Sequence, residues 1–112
     1  MTWAINTTVS ILVDGATPAL NASLGTVFTL SAAGDRTIAI PANPIPGKKI
    51  IIAHTASGGA RTLSLNTGAG GFRFGTDITA LTSTGAGLTD YIGCIYNTTA
   101  GFWDVIAYTK GY

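Results

Sequence analysis

The sequence predicts an all-β fold, and three observations carry that prediction. The 112 residues contain no Glu and no Gln, and charged residues make up only 10% of them. Glu, Gln, Lys and Arg are the side chains that clothe the solvent face of a helix with little loss of rotamer freedom. Apolar and polar residues instead alternate with period two in several short runs, the pattern of strands with one face in a core. Fifteen glycines, with clusters of Asn, Asp and Pro, break these runs about every ten residues, the rhythm of an antiparallel sandwich or barrel. The expectation is one domain over residues 1–112, an antiparallel β-sandwich or barrel.

The elements follow in order. Val9, Ile11 and Val13 point one way along the first strand, with Ser10 and Leu12 the other way. Phe28 and Leu30 share a face opposite Val27 and Thr29. Ile38 and Ile40 alternate with Thr37 and Ala39, and Leu63 and Leu65 with Thr62 and Ser64. Ile50-Ile51-Ile52-Ala53 is apolar on both faces, which fits a central strand covered on both sides or one facing a subunit contact. Residues 76–89, rich in Thr, Ala and Gly, read as loop with one short strand. Tyr91-Ile92-Gly93-Cys94-Ile95-Tyr96 and the run from Phe102 to Tyr108 flank Asn97-Thr98-Thr99-Ala100-Gly101, the spacing of a β-hairpin.

Length and charge bound the function. A chain of this size can bury roughly two-thirds of its unfolded surface without disulfides or a metal. Its net charge of +1 projects no broad field toward nucleic acid or an acidic membrane. Low charge combined with 46% hydrophobic residues favours a surface partly covered by identical copies or by a larger partner. Cys94 has no second cysteine to pair with and sits in an apolar strand as a core thiol. No basic, apolar leader opens the chain, and its longest apolar runs are far too short to span a bilayer. The expected place of synthesis is a cytoplasm.

Candidate reactive groups are few. The five carboxyl side chains belong to Asp14, Asp35, Asp77, Asp90 and Asp104. Asp14 and Asp35 sit beside glycines, where Asp serves turns, while Asp90 and Asp104 flank the hairpin as an edge pair. His54 ends the aliphatic strand with no second His and no cluster of ligands, so neither a metal site nor a catalytic triad can be built on it. It reads as a strand-end or interface imidazole. Gly68-Ala69-Gly70-Gly71 lacks the helix, Lys and hydroxyl of a phosphate loop, and Phe72-Arg73-Phe74 lacks the cations of a base-stacking groove. The three Asn-X-Ser/Thr sequons read as turn and strand-end residues. No catalytic, cofactor or metal residue is assigned, and an enzyme is not expected. Trp3, at the N-terminus, and Trp103, Tyr96, Tyr108 and Tyr112, around the hairpin, suit interfaces or sugar-stacking platforms. Trp103 also alternates with Val105 and Ala107, as a core residue would.

The order of signals over residues 35–108 resembles a module of tailed-phage virion proteins, especially capsid decoration proteins and fibre ends. It runs from Asp35-Arg36-Thr37-Ile38-Ala39-Ile40 through Pro41-Ala42-Asn43-Pro44-Ile45-Pro46-Gly47 to Lys49-Ile50-Ile51-Ile52. Ala60-Arg61-Thr62-Leu63-Ser64-Leu65, Gly71-Phe72-Arg73-Phe74-Gly75 and the Tyr/Ile and Gly101-Phe102-Trp103 strands follow. The resemblance implies a jelly-roll-type homotrimer on the virion surface whose partner is the major capsid protein. It implies a decoration (cement) role, with no nucleic acid, membrane or cofactor involved. Residues 1–23, outside the resemblance, become an N-terminal arm or docking strand. Candidate interface residues are Trp3, Ile5, Ile50, Ile52, His54, Trp103 and Tyr112. Two alternatives stay open: a fibre or spike module that binds a host glycan, and a stand-alone β-sandwich lectin.

Overall fold

Residues 8–112 are described by the computed structural model; among them are eight strands and no helix. The strands are β1 (Val9–Ile11), β2 (Val27–Ala32), β3 (Arg36–Ile38), β4 (Lys49–Ala56), β5 (Leu63–Leu65), β6 (Phe72–Arg73), β7 (Thr89–Asn97) and β8 (Phe102–Thr109). Six form one sheet in the order β1-β2-β4-β7-β8-β6, and β3 and β5 form a second. The all-β, single-domain expectation holds at this level, but the antiparallel expectation is corrected. β1 with β2, β2 with β4, β3 with β5 and β6 with β8 all pair parallel. Only β4 with β7 and β7 with β8 run antiparallel.

The parallel pairings arise because the N-terminal half of the chain is wound as a coil. β1, β2 and β4 lie side by side in the large sheet, and between them the chain crosses to the second layer each time. There residues 16–22 run beside β3 and its continuation: Thr37 N–H donates to the Ala16 carbonyl (3.1 Å), Ala39 to Pro18 (3.0 Å) and Ala42 to Leu20 (2.9 Å). β3 in turn pairs with β5 from Arg36↔Leu63 to Ile38↔Leu65. Period-two alternation is identical in parallel and antiparallel strands, so the sequence pattern alone could not separate the two.

The core lies between the layers. Phe28, Leu30, Ile50, Ile52, Ile92 and Trp103 from the large sheet meet Leu20, Ile38, Leu63 and Leu65 from the other side. Burying each such side chain stabilises the fold by roughly 1.5–3 kcal/mol. Leu12, Leu20 and Ala22 belong to this core. Residues 8–23 are therefore packed on the folded body, with β1 as an edge strand of the large sheet. Two bidentate ion pairs fasten distant segments. Arg36 Nε and Nη2 donate to the two Asp14 carboxylate oxygens at 2.7 and 3.1 Å, linking adjacent turns of the coil. Arg73 grips Asp104 in the same way, at 2.7 and 3.0 Å, tying β6 to β8.

The hairpin forms as its sequence predicts. The Asn97 side chain accepts from Ala100 N–H (3.1 Å), Gly101 N–H donates to the Asn97 carbonyl (2.8 Å), and Gly101 takes the positive φ of 72° that closes the turn. In residues 76–89 no strand precedes β7. The single strand expected there is reduced to isolated bridges, Ala56↔Ala86 and Arg61↔Thr84.

Candidate functional site

Four of the expected interface residues lie inside the domain. Ile50, Ile52, His54 and Trp103 are all 0–1% exposed, because they project from the large sheet toward the second layer. They cannot contact another chain from there. On β4 it is Ile51, between Ile50 and Ile52, that faces outward, at 40% exposure. Trp3 and Ile5 lie outside the described residues. Tyr112 is exposed and meets Tyr91 edge-on, with ring centroids 5.5 Å apart.

His54 sits in a buried polar chain that sequence spacing did not reveal. β4–β7 register places it opposite Asp90, and Thr84 bridges the two. The Thr84 hydroxyl donates to Asp90 Oδ2 at 2.7 Å and lies 2.8 Å from His54 Nδ1. A hydroxyl has one proton, and here Asp90 takes it, so His54 Nδ1 must be the protonated nitrogen that donates to Thr84. Asp90 Oδ1 accepts from Gly111 N–H at 3.0 Å, and the Lys110 ammonium stands 3.8 Å from Oδ2. Nε2 of His54 is buried without a hydrogen-bond partner. Burial holds the His54 pKa below its ordinary value, against the pull of Asp90 and then Asp14. The order Asp–hydroxyl–imidazole differs from a hydrolytic triad, in which the imidazole stands between acid and nucleophile. The Thr84 oxygen spends its proton on one neighbour and a lone pair on the other, so this chain is a structural brace.

Several other titratable groups are also engaged. Cys94 is fully buried, and desolvation pushes its thiol up to about 12. It holds its proton and is no nucleophile. Hydrogen bonding from Arg36 pulls Asp14 down to about 2, and Arg73 lowers Asp104. Asp35 accepts from Thr62 N–H at 2.9 Å. Asp90 and Asp104, expected as an edge pair, sit toward opposite ends of β7, opposite His54 and Ile95 respectively. Among the described residues no group of three or more His, Cys or Asp could hold a metal ion, and no helix is long and apolar enough to cross a membrane. A cavity of about 220 Å³ beside β5, lined by Leu63, Leu65, Phe74 and Leu81 with the Thr62 and Ser64 hydroxyls, holds no charged side chain.

What the surface does offer is an apolar face. The strand registers align Val9, Val27, Ile51, Gly93 and Ala107 in one row across the outside of the large sheet. Ile11, Thr29, Ala53, Tyr91 and Thr109 form the next row. Neither row contains a charge. Ile106, the extra residue of a bulge in β8, stands half exposed beside them. Ions enter only at one rim, where Lys49 aligns with Ile95 and Asp104, and Asp104 with Arg73. At the β1 end of the molecule a groove of about 410 Å³ opens between the layers, lined by Ile11, Leu12, Val13, Leu20 and Leu24. Ile11 and Val13 are more than 80% exposed there. Alternation in the sequence grouped Val9 with Ile11 and Val13, and Val27 with Thr29, but did not indicate which face of each strand would be left uncovered. No protein-family model, curated protein or solved structure matches this chain.

Proposed function

We propose that this chain is a virion structural protein, a capsid decoration (cement) protein of a tailed phage that assembles as a homotrimer on the head. The observation that carries this reading is the charge-free apolar surface. A monomer seldom leaves contiguous apolar area uncovered unless it is an interaction surface, and His54, Cys94, Asp14, Asp90 and Asp104 are buried or held in ion pairs and hydrogen bonds. In this reading the groove at the β1 end, with Ile11, Val13 and Leu24, meets the major capsid protein. Binding to the assembled shell, and not to its free subunits, stabilises the shell by mass action, and several copies of a modest contact add through avidity. The protein is made in the host cytoplasm and resides on the capsid surface. Of the finer fold reading, a sandwich of jelly-roll type, the proposal keeps two packed layers.

The test is stoichiometry in purified particles of the phage that encodes it. Copy number comparable to the major shell protein supports decoration; a few copies per particle move it to a fibre, and absence ends the virion reading. In a second measurement, Val13→Asp should abolish binding to heads while leaving the fold intact, since Val13 is 84% exposed. Truncation before Leu24 is unsuitable, because it would remove core residues Leu12, Leu20 and Ala22.

A second reading draws on the Tyr91–Tyr112 pair, two exposed rings at one end of the apolar face. Exposed aromatic rings of this kind stack on sugars. A fibre or spike module, or a free-standing lectin, would bind a glycan there. Saccharide titration followed by Tyr ring NMR shifts, lost in Tyr112→Ala, would favour it over decoration.

A further inference from the structure

We infer that the open face of the six-stranded sheet is an interface between copies of this chain, with a second copy packed face to face against the rows centred on Ile51 and Tyr91. The inference rests on the self-assembly of the reading above but replaces its homotrimer: a face that meets the same face of a second copy closes as a two-fold pair, so the expected oligomer is a dimer.

Three observations carry it. First, β1, β2 and β4 form a parallel part of the mixed sheet, and all-parallel sheets occur almost only with both faces covered. β4 has the continuous aliphatic run of such a strand, yet the second layer covers only the Ile50/Ile52 side and leaves Ile51 out. Second, the area suffices. Six strands at about 4.8 Å spacing, with three to four outward residues along each central strand, give a face of roughly 500 Å². Two such faces in contact bury on the order of 1,000 Å², the size at which an interface becomes specific.

Third, the charge pattern suits a like surface better than a foreign one. The chain carries a net charge of only +1, so copies repel weakly. The centre of the face has no charge that would require an opposite partner. Of the ions at its rim, Arg73 and Asp104 neutralise each other at 2.7 Å, which leaves Lys49 at the edge of the face. Relief on the face is graded in the same sense. At Gly93 a Cβ would lie 3.1 Å from that of Ala107, a tight approach, and the glycine leaves this point of the row without a side chain. This leaves a shallow trough bordered by Ile51, Tyr91 and Ile106. Two faces packed about 10 Å apart would seat these ridges in each other's troughs. The sandwich is then completed by the neighbouring copy.

The experiment is sedimentation velocity with light scattering on the full chain at micromolar concentration. Wild type should be an oligomer, and Ile51→Lys should be monomeric with unchanged near-UV circular dichroism. Ile40→Lys is the matched control: Ile40 is equally exposed but packs near Gly68 and Gly70, away from this face, so that variant should remain oligomeric. A monomeric wild type overturns the inference, as does an Ile51→Lys variant that associates as well as the control. If wild type is monomeric and Ile51→Lys no longer binds heads, the face docks on the shell instead of on a copy. The two readings fail separately, because particle stoichiometry tests decoration and the mass of the free protein tests the self-contact.

Discussion

Thr84 does more than its composition suggests. It stands in a stretch of Thr, Ala and Gly with no period, yet its hydroxyl bridges the side chains of His54 and Asp90. Thr84→Val keeps the shape and removes the hydroxyl, leaving a buried N–H and a buried carboxyl oxygen short of a partner. Since each such loss costs about 1–3 kcal/mol, we expect a destabilisation of ~2–4 kcal/mol by urea denaturation, largely restored in Thr84→Ser. A value near zero would mean that water or Lys110 replaces the hydroxyl. The pH dependence has two windows. Unfolded His54 takes up a proton near 6.5 and folded His54 only at lower pH. Between those points the unfolded chain binds more protons, so stability falls as pH drops below about 6.5. Asp14 acts lower: its contribution is complete above about 3.8 and disappears as pH falls toward 2. Urea midpoints measured from pH 8 to 5 should decline in wild type and stay flat in His54→Asn. Gly71 supplies a third test. A Cβ there would lie 2.2 Å from the Asn66 carbonyl oxygen and 2.9 Å from that of Gly68, both backbone atoms that cannot swing aside. Gly71→Ala should cost at least ~3 kcal/mol, the upper range for overpacking, whereas Gly75→Ala, with open space around it, should be near neutral.

At the scale of elements, legibility followed sequence distance. The β7–β8 hairpin was readable because its partners are joined by a few residues and its turn needs Gly101. The core sides of β2 and β5 were readable because Phe28, Leu30, Leu63 and Leu65 alternate cleanly. The coil was not, although it is a repeat in space. Val27 pairs with Val9, 18 residues earlier, while Ile51 pairs with Val27, 24 residues earlier. Turns of unequal length leave no fixed period in the sequence. The same distance hid the site. His54 had no acid near it in sequence, and Asp90 reaches it only through the β4–β7 register. Asp14 was legible as a turn residue but not as the partner of Arg36, 22 positions on. Ile50 and Ile52 were expected at an interface and lie in the core, while Ile51 between them is the outward residue, since strand alternation fixes pairs of faces without saying which is inward.

For the molecule as a whole, the division between a covered and an uncovered sheet face sets the behaviour in solution. If copies meet on the open face, folding and association are linked, and the thermal midpoint must rise with protein concentration. Differential scanning calorimetry across a hundredfold concentration range should show that rise in wild type and Ile40→Lys. Ile51→Lys should melt at a single, concentration-independent temperature. An invariant wild-type midpoint would separate the face from stability.

The winding of the chain also governs time. The hairpin needs only a four-residue connection between Asn97 and Phe102 to close, an event of microseconds. Every parallel pair in the coil must first close a loop through the second layer, and non-local pairing of this kind is slow. The hairpin therefore offers the early scaffold, with β4 added on β7 and β1 laid down last. Val105→Ala, in the hairpin, should then slow refolding, while Leu12→Ala, just beyond β1, should chiefly accelerate unfolding. Stopped-flow chevrons with those two effects exchanged would reverse the order in which this molecule is built.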